Sequence, residues 1–220
     1  MQHSFPVHIT KEEINDFPQV QFEGKIHLID SPEKLPDALK RLSKETVLGF
    51  DTETRPSFKK GTRYSVSLLQ LSTSDEVFLF RLNLIHLPAK LKKILEDKDV
   101  VKLGVAVHDD IKALQELSSF EANGFADFAH ISKKMELKNS GLRSLAGIFL
   151  GVRISKSARL SNWESKELTE TQMIYAATDA WVCLKMYIKL LNSGLLKNFL
   201  LTPIAPSPRK KKQERKRQTP

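Results

Sequence analysis

The sequence predicts an α/β fold for this 220-residue chain, and three observations support it. The length is enough for one sizeable α/β domain with tails. Short apolar runs that are typical of strands alternate with segments whose apolar residues recur at helical spacing. Three of the strand-like runs follow one another with short links, which predicts an antiparallel meander.

The individual elements follow from local signals along the chain. Strands are predicted at about residues 25–30, 46–54, 64–73, 76–82, 100–105 and 125–128. Helices are predicted at about 32–43, 87–96, 109–117, 129–135, 141–150 and 170–193. Two capping boxes, at Thr10 and at Thr169, predict a short helical turn near the N-terminus and the start of the last helix.

The sequence predicts three regions: an N-terminal extension at 1–24, one folded domain at 25–200 and a disordered basic tail at 201–220. The net charge is +9, and residues 207–220 contribute +6 of it through seven Lys or Arg and one Glu. No apolar residue follows Ala205, which predicts disorder. The tail fits an electrostatic arm for nucleic acid or ribosomes, a solubilising end or, in a eukaryotic host, a nuclear import signal.

Several classes of protein are disfavoured by the composition. No apolar run reaches the roughly 18 residues that a membrane span needs, and the N-terminus lacks the apolar core of a signal peptide. The single cysteine, Cys183, excludes an internal disulfide and agrees with a reducing, cytoplasmic location, with the nucleus as the eukaryotic alternative. No Cys/His spacing predicts a zinc site, and no signal predicts an oligomeric state.

The predicted strand at 46–54 ends in two acids, Asp51 and Glu53. Residues two apart on a strand point to the same face, so the two carboxylates lie side by side and repel. One interpretation is a hard divalent metal held by oxygen ligands. The other is a strand that runs out into solvent, where acidic residues are common.

Two further acidic features recur later in the chain. Asp109 and Asp110 lie at the predicted start of a helix, where a single aspartate would suffice for capping. Tyr175 and Asp179 lie four apart on a strongly apolar helix, hence on one face. An aspartate in that setting needs a partner or a cation, unless this face is a solvated stripe.

The order of these motifs resembles the DEDD superfamily of 3′-5′ exonucleases, in its tyrosine-bearing subgroup, and most closely the ribonuclease D and Werner-type exonuclease domains. The likeness covers about residues 25–195. It rests on GFDTE at 49–53, SLLQL at 67–71, KLGV at 102–105, SNW at 161–163, LT at 168–169 and YAATDA at 175–180.

The resemblance implies a ribonuclease H-like α/β fold, a mixed sheet of five to six strands with flanking helices. It also implies two Mg²⁺ or Mn²⁺ ions per active site. On that pattern Asp51 bridges both ions, Glu53 and Asp179 hold the ion that activates water, and Asp110 anchors the ion near the leaving oxygen.

Two assignments within this set carry their own reasons. Asp110 is preferred to Asp109 as the ligand because the family's acid directly precedes the first apolar residue of the helix, here Ile111. Asp109 is then the expected helix cap, although the two could be exchanged. Tyr175, whose ordinary pKa is about 10, is a poor general base at neutral pH and is expected to orient the attacking water.

The implied reaction is hydrolysis of phosphodiester bonds from the 3′ end of single-stranded or 3′-ended DNA or RNA, which releases nucleoside 5′-monophosphates. Details of the Werner-like motifs favour DNA. The segment 55–61, directly after the acid pair, is where we expect the substrate strand. Candidate contacts to it are Arg55, Lys59, Lys60, Arg159 and Trp163. Ordinary surface charge is the alternative for the cations, and core packing is the alternative for the tryptophan.

Two other functions fit the same residues. The chain could be a catalytically inactive nucleic-acid-binding module that retains the exonuclease fold, or a structural or protein-interaction domain. All five active-site positions implied by the resemblance carry the right residue types, which favours the enzyme.

Overall fold

The computed structural model describes residues 5–195, and within them the strands form one six-stranded mixed sheet in the order β1-β4-β3-β2-β5-β6. The strands are β1 (Lys25–Ile29), β2 (Val47–Thr54), β3 (Val66–Ser72), β4 (Glu76–Arg81), β5 (Val101–Gly104) and β6 (Phe125–Asp127). The predicted α/β class and its mixed sheet with flanking helices are confirmed.

Eight α-helices lie among the described residues. They are α1 (Lys11–Asp16), α2 (Leu35–Leu42), α3 (Leu82–Ile85), α4 (Ala89–Glu96), α5 (Val107–Leu117), α6 (Phe128–Lys134), α7 (Leu142–Leu150) and α8 (Glu170–Asn192). Both predicted capping boxes are present. The side chains of Thr10 and Thr169 each accept from the backbone N–H three residues on, and their own backbone N–H groups donate to the side chains of Glu13 and Gln172, respectively.

The predicted meander is confirmed, because β2, β3 and β4 pair antiparallel in sequence. On its other side β2 pairs in parallel with β5, so β2 lies inside the sheet. The first strand, β1, returns to the far edge and pairs in parallel with β4, which the sequence did not indicate. The acid pair therefore lies on an interior strand rather than on an exposed edge.

Alternate side chains of the strands fill two cores, one on each face of the sheet. On one face, Phe78 and Phe80 pack with α2, α4 and α5. On the opposite face, Val77 and Leu79 pack with Ala176 and Ala177 of α8. Successive residues of a strand point to opposite faces of the sheet, and helices cover both faces. The result is a three-layer helix–sheet–helix architecture.

At two of the predicted boundaries the structure has a different kind of element. The strand predicted over 76–82 ends at Arg81, and Leu82 begins α3, a four-residue helix that the apolar run concealed. The helix expected from Pro32 begins as a 3-10 turn, Pro32–Lys34, before α2. A short apolar run fits a strand and a buried helical turn equally well, so periodicity alone could not separate them.

The segment predicted as an N-terminal extension packs on the domain where the structure describes it. Ile9, Ile14 and Phe22 are buried. The Arg153 guanidinium donates to the Phe17 carbonyl oxygen at 3.0 Å and to the Gln19 side chain at 2.8 Å. The boundary at residue 24 stays a prediction. The basic tail at 201–220 lies outside the described residues.

Within residues 5–195, no helix is both long and apolar enough to cross a membrane.

Helix α8 approaches β2 closely at Gly49. A Cβ atom on Gly49 would lie 2.0 Å from the Ala180 carbonyl oxygen and 2.3 Å from Ser72 Oγ. Real Cβ atoms do not approach other atoms that closely, so only glycine permits this contact between strand and helix. The contact brings the face of α8 that carries Asp179 over the acidic end of β2.

Because the clash at Gly49 involves backbone, Gly49→Ala should lower the free energy of unfolding by at least about 2 kcal/mol. Gly141→Ala is the matched control, since a Cβ there meets no atom within 4 Å. Its cost should stay below about 1 kcal/mol. Urea unfolding at equilibrium measures both. Equal stabilities of the two variants would contradict the close approach of α8 to β2.

Candidate active site

Three carboxylates converge where α8 crosses β2. Asp51 and Glu53 point to the same face of β2, and Asp179 comes from the overlying turn of α8. One carboxylate oxygen from each of these residues lies within 4.8 Å of the others. The residues are 128 positions apart in the chain at most, and only the crossing of helix and strand brings them together.

The environment of this acid group disfavours its charge. Burial, and then the charges of Asp179 and Asp110, raise the pKa of Asp51. Burial and the charges of the neighbouring acids raise the pKa of Glu53 to about 10. Burial likewise raises the pKa of Asp179 to about 7, against the opposing effects of a hydrogen bond from Tyr175 and the charge of Arg143. Within the part of the chain that the structure describes, nearby cationic side chains do not fully offset the charge of the three carboxylates.

The donor set fits a hard divalent cation. All three groups offer oxygen atoms, which Mg²⁺ and Mn²⁺ prefer. Asp179 Oδ1 is buried and has no hydrogen-bond partner among residues 5–195, whereas buried polar atoms are normally paired. Asp51 and Glu53 are only half-buried, so the group remains open to solvent on one side. The cluster can therefore bind a divalent metal.

Asp110 lies beside this group in the first turn of α5. Its Oδ1 accepts a hydrogen bond from Thr52 Oγ1, on the strand residue between the two acids of β2. It is outside the 4.8 Å group, but its charge raises the pKa of Asp51 and of Glu53. Burial raises the pKa of Asp110 itself. Asp110 is thus held next to β2, close enough for its charge to act on the acid group.

Asp109 points away from the acid group. Its side chain is 93% exposed and lies 3.7 Å from Lys112 Nζ. The expectation that Asp109 caps the helix was wrong, because α5 begins earlier, at Val107, with Ala106 as its N-cap in a left-handed conformation. The Ala106 N–H donates instead to Asp127 Oδ1 at 2.8 Å. An alanine at φ 59° gives no signal in the sequence, so this cap could not be foreseen.

Tyr175 lies one helical turn before Asp179 and is 8% exposed. Burial and the surrounding carboxylates raise its pKa well above its ordinary value. The phenol therefore remains protonated at neutral pH, and its hydroxyl can donate a hydrogen bond but cannot act as a general base.

The proposed base-stacking role of Trp163 is corrected by the structure. Trp163 is fully buried, so neither face of its indole is available to a nucleobase. Its ring packs against Tyr175 at 6.1 Å between centroids. It belongs to the core beneath α8, together with Leu168 and Ala176, and it supports the tyrosine.

A surface groove of about 430 Å³ begins immediately after β2. Arg55 and Lys59, two of the predicted contacts, line it. The Arg55 guanidinium lies 4.7 Å from the Tyr64 ring centroid, and its Nη1 is 3.1 Å from Glu164 Oε2. Lys60 and Arg159 are exposed but do not line this groove.

Sequence reasoning missed two apolar residues of the same groove. Phe58 is 84% exposed and Leu160 is 62% exposed, and both line it. A phenylalanine amid lysines, proline and glycine was the available signal, and it is a weak one, because single exposed apolar side chains are common on protein surfaces. Arg143, whose charge lowers the pKa of Asp179, and Thr52 were also missed, and nothing in the local sequence distinguishes them.

Comparisons with known proteins agree with this geometry. A family model described as 3′-5′ exonuclease matches residues 26–194. The chain is 34% identical over 191 residues to the mouse (Mus musculus) bifunctional 3′-5′ exonuclease/ATP-dependent helicase WRN, a match that covers 82% of this chain and 14% of that protein. The chain thus spans only a small part of that relative's length.

Solved structures show the same fold. The crystal structure of the Aedes aegypti Nibbler EXO domain has a TM-score of 0.71 at 28% identity, covering 81% of this chain and 92% of that one. Trypanosoma brucei RNase D in complex with RNA U12 has a TM-score of 0.69 at 18% identity, covering 77% and 63%. The fold is therefore the ribonuclease H-like fold of ribonuclease D-type exonuclease domains.

The raised pKa values predict how stability depends on pH without metal. Ordinary values of 3.8 for Asp179 and 4.5 for Glu53 become about 7 and about 10 in the folded protein. The folded state then holds protons that the unfolded state has released, so stability should fall as the pH rises from about 5 to 9. Added Mn²⁺ should raise the melting temperature more at the alkaline end, because metal ligands must be deprotonated.

Differential scanning calorimetry in EDTA and in Mn²⁺ measures both effects. Asp179→Asn removes one of the crowded carboxylates and should flatten the pH dependence in EDTA, whereas Asp109→Asn, at an exposed position, should not. Identical pH dependence in wild type and Asp179→Asn would contradict the electrostatic description of the cluster.

Proposed function

This chain belongs to the 3′-5′ exonuclease family, and on that premise we propose that it is an active, two-metal-ion 3′-5′ exonuclease. It hydrolyses phosphodiester bonds from the 3′ end of nucleic acid and releases nucleoside 5′-monophosphates. The observation that carries the proposal is the convergence of Asp51, Glu53 and Asp179 within 4.8 Å in a partly buried site.

The carboxylates of Asp51, Glu53, Asp110 and Asp179 would hold two Mg²⁺ or Mn²⁺ ions, whose chemistry is to stabilise negative charge on the attacking and leaving oxygens. Asp51 is the shared ligand in this assignment. The position of Asp51 supports this assignment, because the charges of both Asp179 and Asp110 raise its pKa. The hydrogen bond from Thr52 restricts the Asp110 carboxylate and keeps it near the end of β2.

Tyr175 acts as a donor and not as a base. Its raised pKa keeps the hydroxyl protonated, and packing against Trp163 holds the ring over the acid group. The hydroxyl can then orient a water or a phosphate oxygen at the reacting centre. The proton of the attacking water must leave through another group, and we assign this role to the carboxylate of Glu53, which is half-buried and open to solvent on one side.

The groove after β2 is the proposed path of the substrate strand. Its apolar side chains, Phe58 and Leu160, suit unpaired bases, and Arg55 and Lys59 suit the phosphodiester backbone. A single-stranded 3′ end fits these features better than a closed duplex, whose bases are stacked on each other. DNA and RNA are both substrates to test, since the Werner-like motifs of this chain favour DNA whereas the RNase D neighbour was solved with RNA.

An inactive nucleic-acid-binding module is the second candidate. It would need no cation, yet this site brings three carboxylates together without a balancing charge, which is costly for a protein that only binds strands. The proposal includes a cytoplasmic location, with which the single cysteine, Cys183, agrees because its thiol is free and buried.

Adjacent aspartates provide a matched test of catalysis. Asp110→Asn should reduce cleavage by at least about a thousandfold, because the amide cannot replace a charged metal ligand. Asp109→Asn, one residue away and exposed, should retain nearly full activity. The assay uses 3′-labelled single-stranded and recessed DNA and RNA with Mg²⁺ or Mn²⁺, and Asp51→Asn is the inactive reference. If Asp51→Asn still degrades strands, the mechanism is wrong. If Asp109→Asn loses activity and Asp110→Asn retains it, the roles of the two aspartates are exchanged.

Truncating the apolar side chains of the groove should weaken strand binding. Phe58→Ala is expected to lose about 1–3 kcal/mol of strand-binding free energy, because base stacking on an aromatic ring has that magnitude. Leu160→Ala is expected to lose less, because leucine offers no aromatic ring. Leu191→Ala is the control, since Leu191 is similarly exposed (52%) but does not line the groove. Fluorescence anisotropy of a labelled oligonucleotide, in an Asp51→Asn background to prevent cleavage, gives the affinities. Unchanged binding in Phe58→Ala would place the strand elsewhere.

A further inference from the structure

Gln70 on β3 is an unusual residue for its position. It is fully buried, and both of its side-chain polar atoms, Nε2 and Oε1, lack a hydrogen-bond partner within the described part of the chain. Buried amide groups are nearly always paired, so an unpaired one requires a reason. Its neighbour on the same face of the strand, Leu68, is apolar, and an apolar side chain would also suit position 70.

The position of Gln70 relates it to the acid group. In the antiparallel pairing of β2 with β3, Gln70 lies directly opposite Asp51. Directly opposed residues of an antiparallel pair project to the same face, with Cβ atoms roughly 4.5–5.5 Å apart. On its other side Gln70 is opposite Leu79, which offers no polar atom from its side chain. Asp51 is therefore the side chain across the sheet with which this amide can pair.

We propose that Gln70 is a positioning residue for Asp51, whose side-chain amide donates from Nε2 to the Asp51 carboxylate when that carboxylate holds a divalent cation. The inference rests on the proposed function. Each carboxylate oxygen has two lone pairs, so an oxygen that holds a cation can still accept a hydrogen bond, and such bonds orient metal ligands. Among the described residues the amide of Gln70 has no partner, so a hydrogen bond to the Asp51 carboxylate would satisfy a polar group that is otherwise costly to bury. Position 70 is therefore expected to trade stability for metal affinity.

Two substitutions separate this role from ordinary packing. Gln70→Met keeps the length of the side chain and removes the amide. It should raise the melting temperature in EDTA by about 4 °C or more, since removal of unpaired buried polar atoms is stabilising. It should also weaken Mn²⁺ binding by about tenfold, as is typical for loss of a group that orients a metal ligand. Ser72→Ala is the matched control, because Ser72 Oγ is also buried and unpaired but lies opposite Gly49.

The measurements are calorimetric titration of the full chain with Mn²⁺ alone and thermal unfolding in EDTA. Ser72→Ala should raise the melting temperature and leave Mn²⁺ affinity unchanged. A higher melting temperature together with weaker Mn²⁺ binding in Gln70→Met supports the inference. If Gln70 had only a packing role, its replacement would lower both the melting temperature and the affinity. Gln70→Leu serves if the methionine variant does not fold, with the same expected pattern.

Two results would overturn the inference. If wild type binds Mn²⁺ and Gln70→Met binds it within twofold as well, Gln70 does not position Asp51, and the proposed exonuclease function stands. If wild type binds no Mn²⁺, the proposed function fails, and the inference fails with it.

Discussion

The structure depends on forcing like charges together. Helix α8 crosses β2 at a distance that only Gly49 permits, and this brings Asp179 to the two acids of the strand. The interaction between them is repulsive, and burial strengthens the repulsion by excluding water. The pKa values of the acids rise in response. A fold that keeps such an arrangement leaves a place for a cation whose charge would reverse the sign of the interaction.

Other residues near the cluster can be explained by this constraint. Trp163, in the core under α8, supports Tyr175. Thr52 restricts Asp110 from the strand itself. Gln70 lies unpaired across from Asp51. None of these side chains supplies positive charge, so they can orient the carboxylates but cannot neutralise them. Arg143 partly offsets the charge of Asp179 and leaves its pKa raised nonetheless.

Much of the arrangement was predictable because it depends on short-range periodicity. The two-residue spacing of Asp51 and Glu53 gives a common face on any strand, and the four-residue spacing of Tyr175 and Asp179 gives one on any helix. Other features depend on contacts between distant segments. The sequence alone allows Trp163 to be either buried or exposed, and the structure shows that it is buried. The cap of α5 is Ala106, whose left-handed conformation has no local signal in the sequence. The exposure of Phe58 likewise depends on how its loop leaves the sheet.

The central claim is that the crowded carboxylates are a cage for two cations with Asp51 as the shared ligand. Anomalous diffraction from crystals of the full chain soaked in Mn²⁺ tests it most directly, because manganese positions are located independently of the protein model. We expect two peaks, one among Asp51, Glu53 and Asp179 and the other between Asp51 and Asp110. An acid cluster without a peak in Mn²⁺-saturated crystals, or peaks that Asp51 does not contact, would contradict the claim.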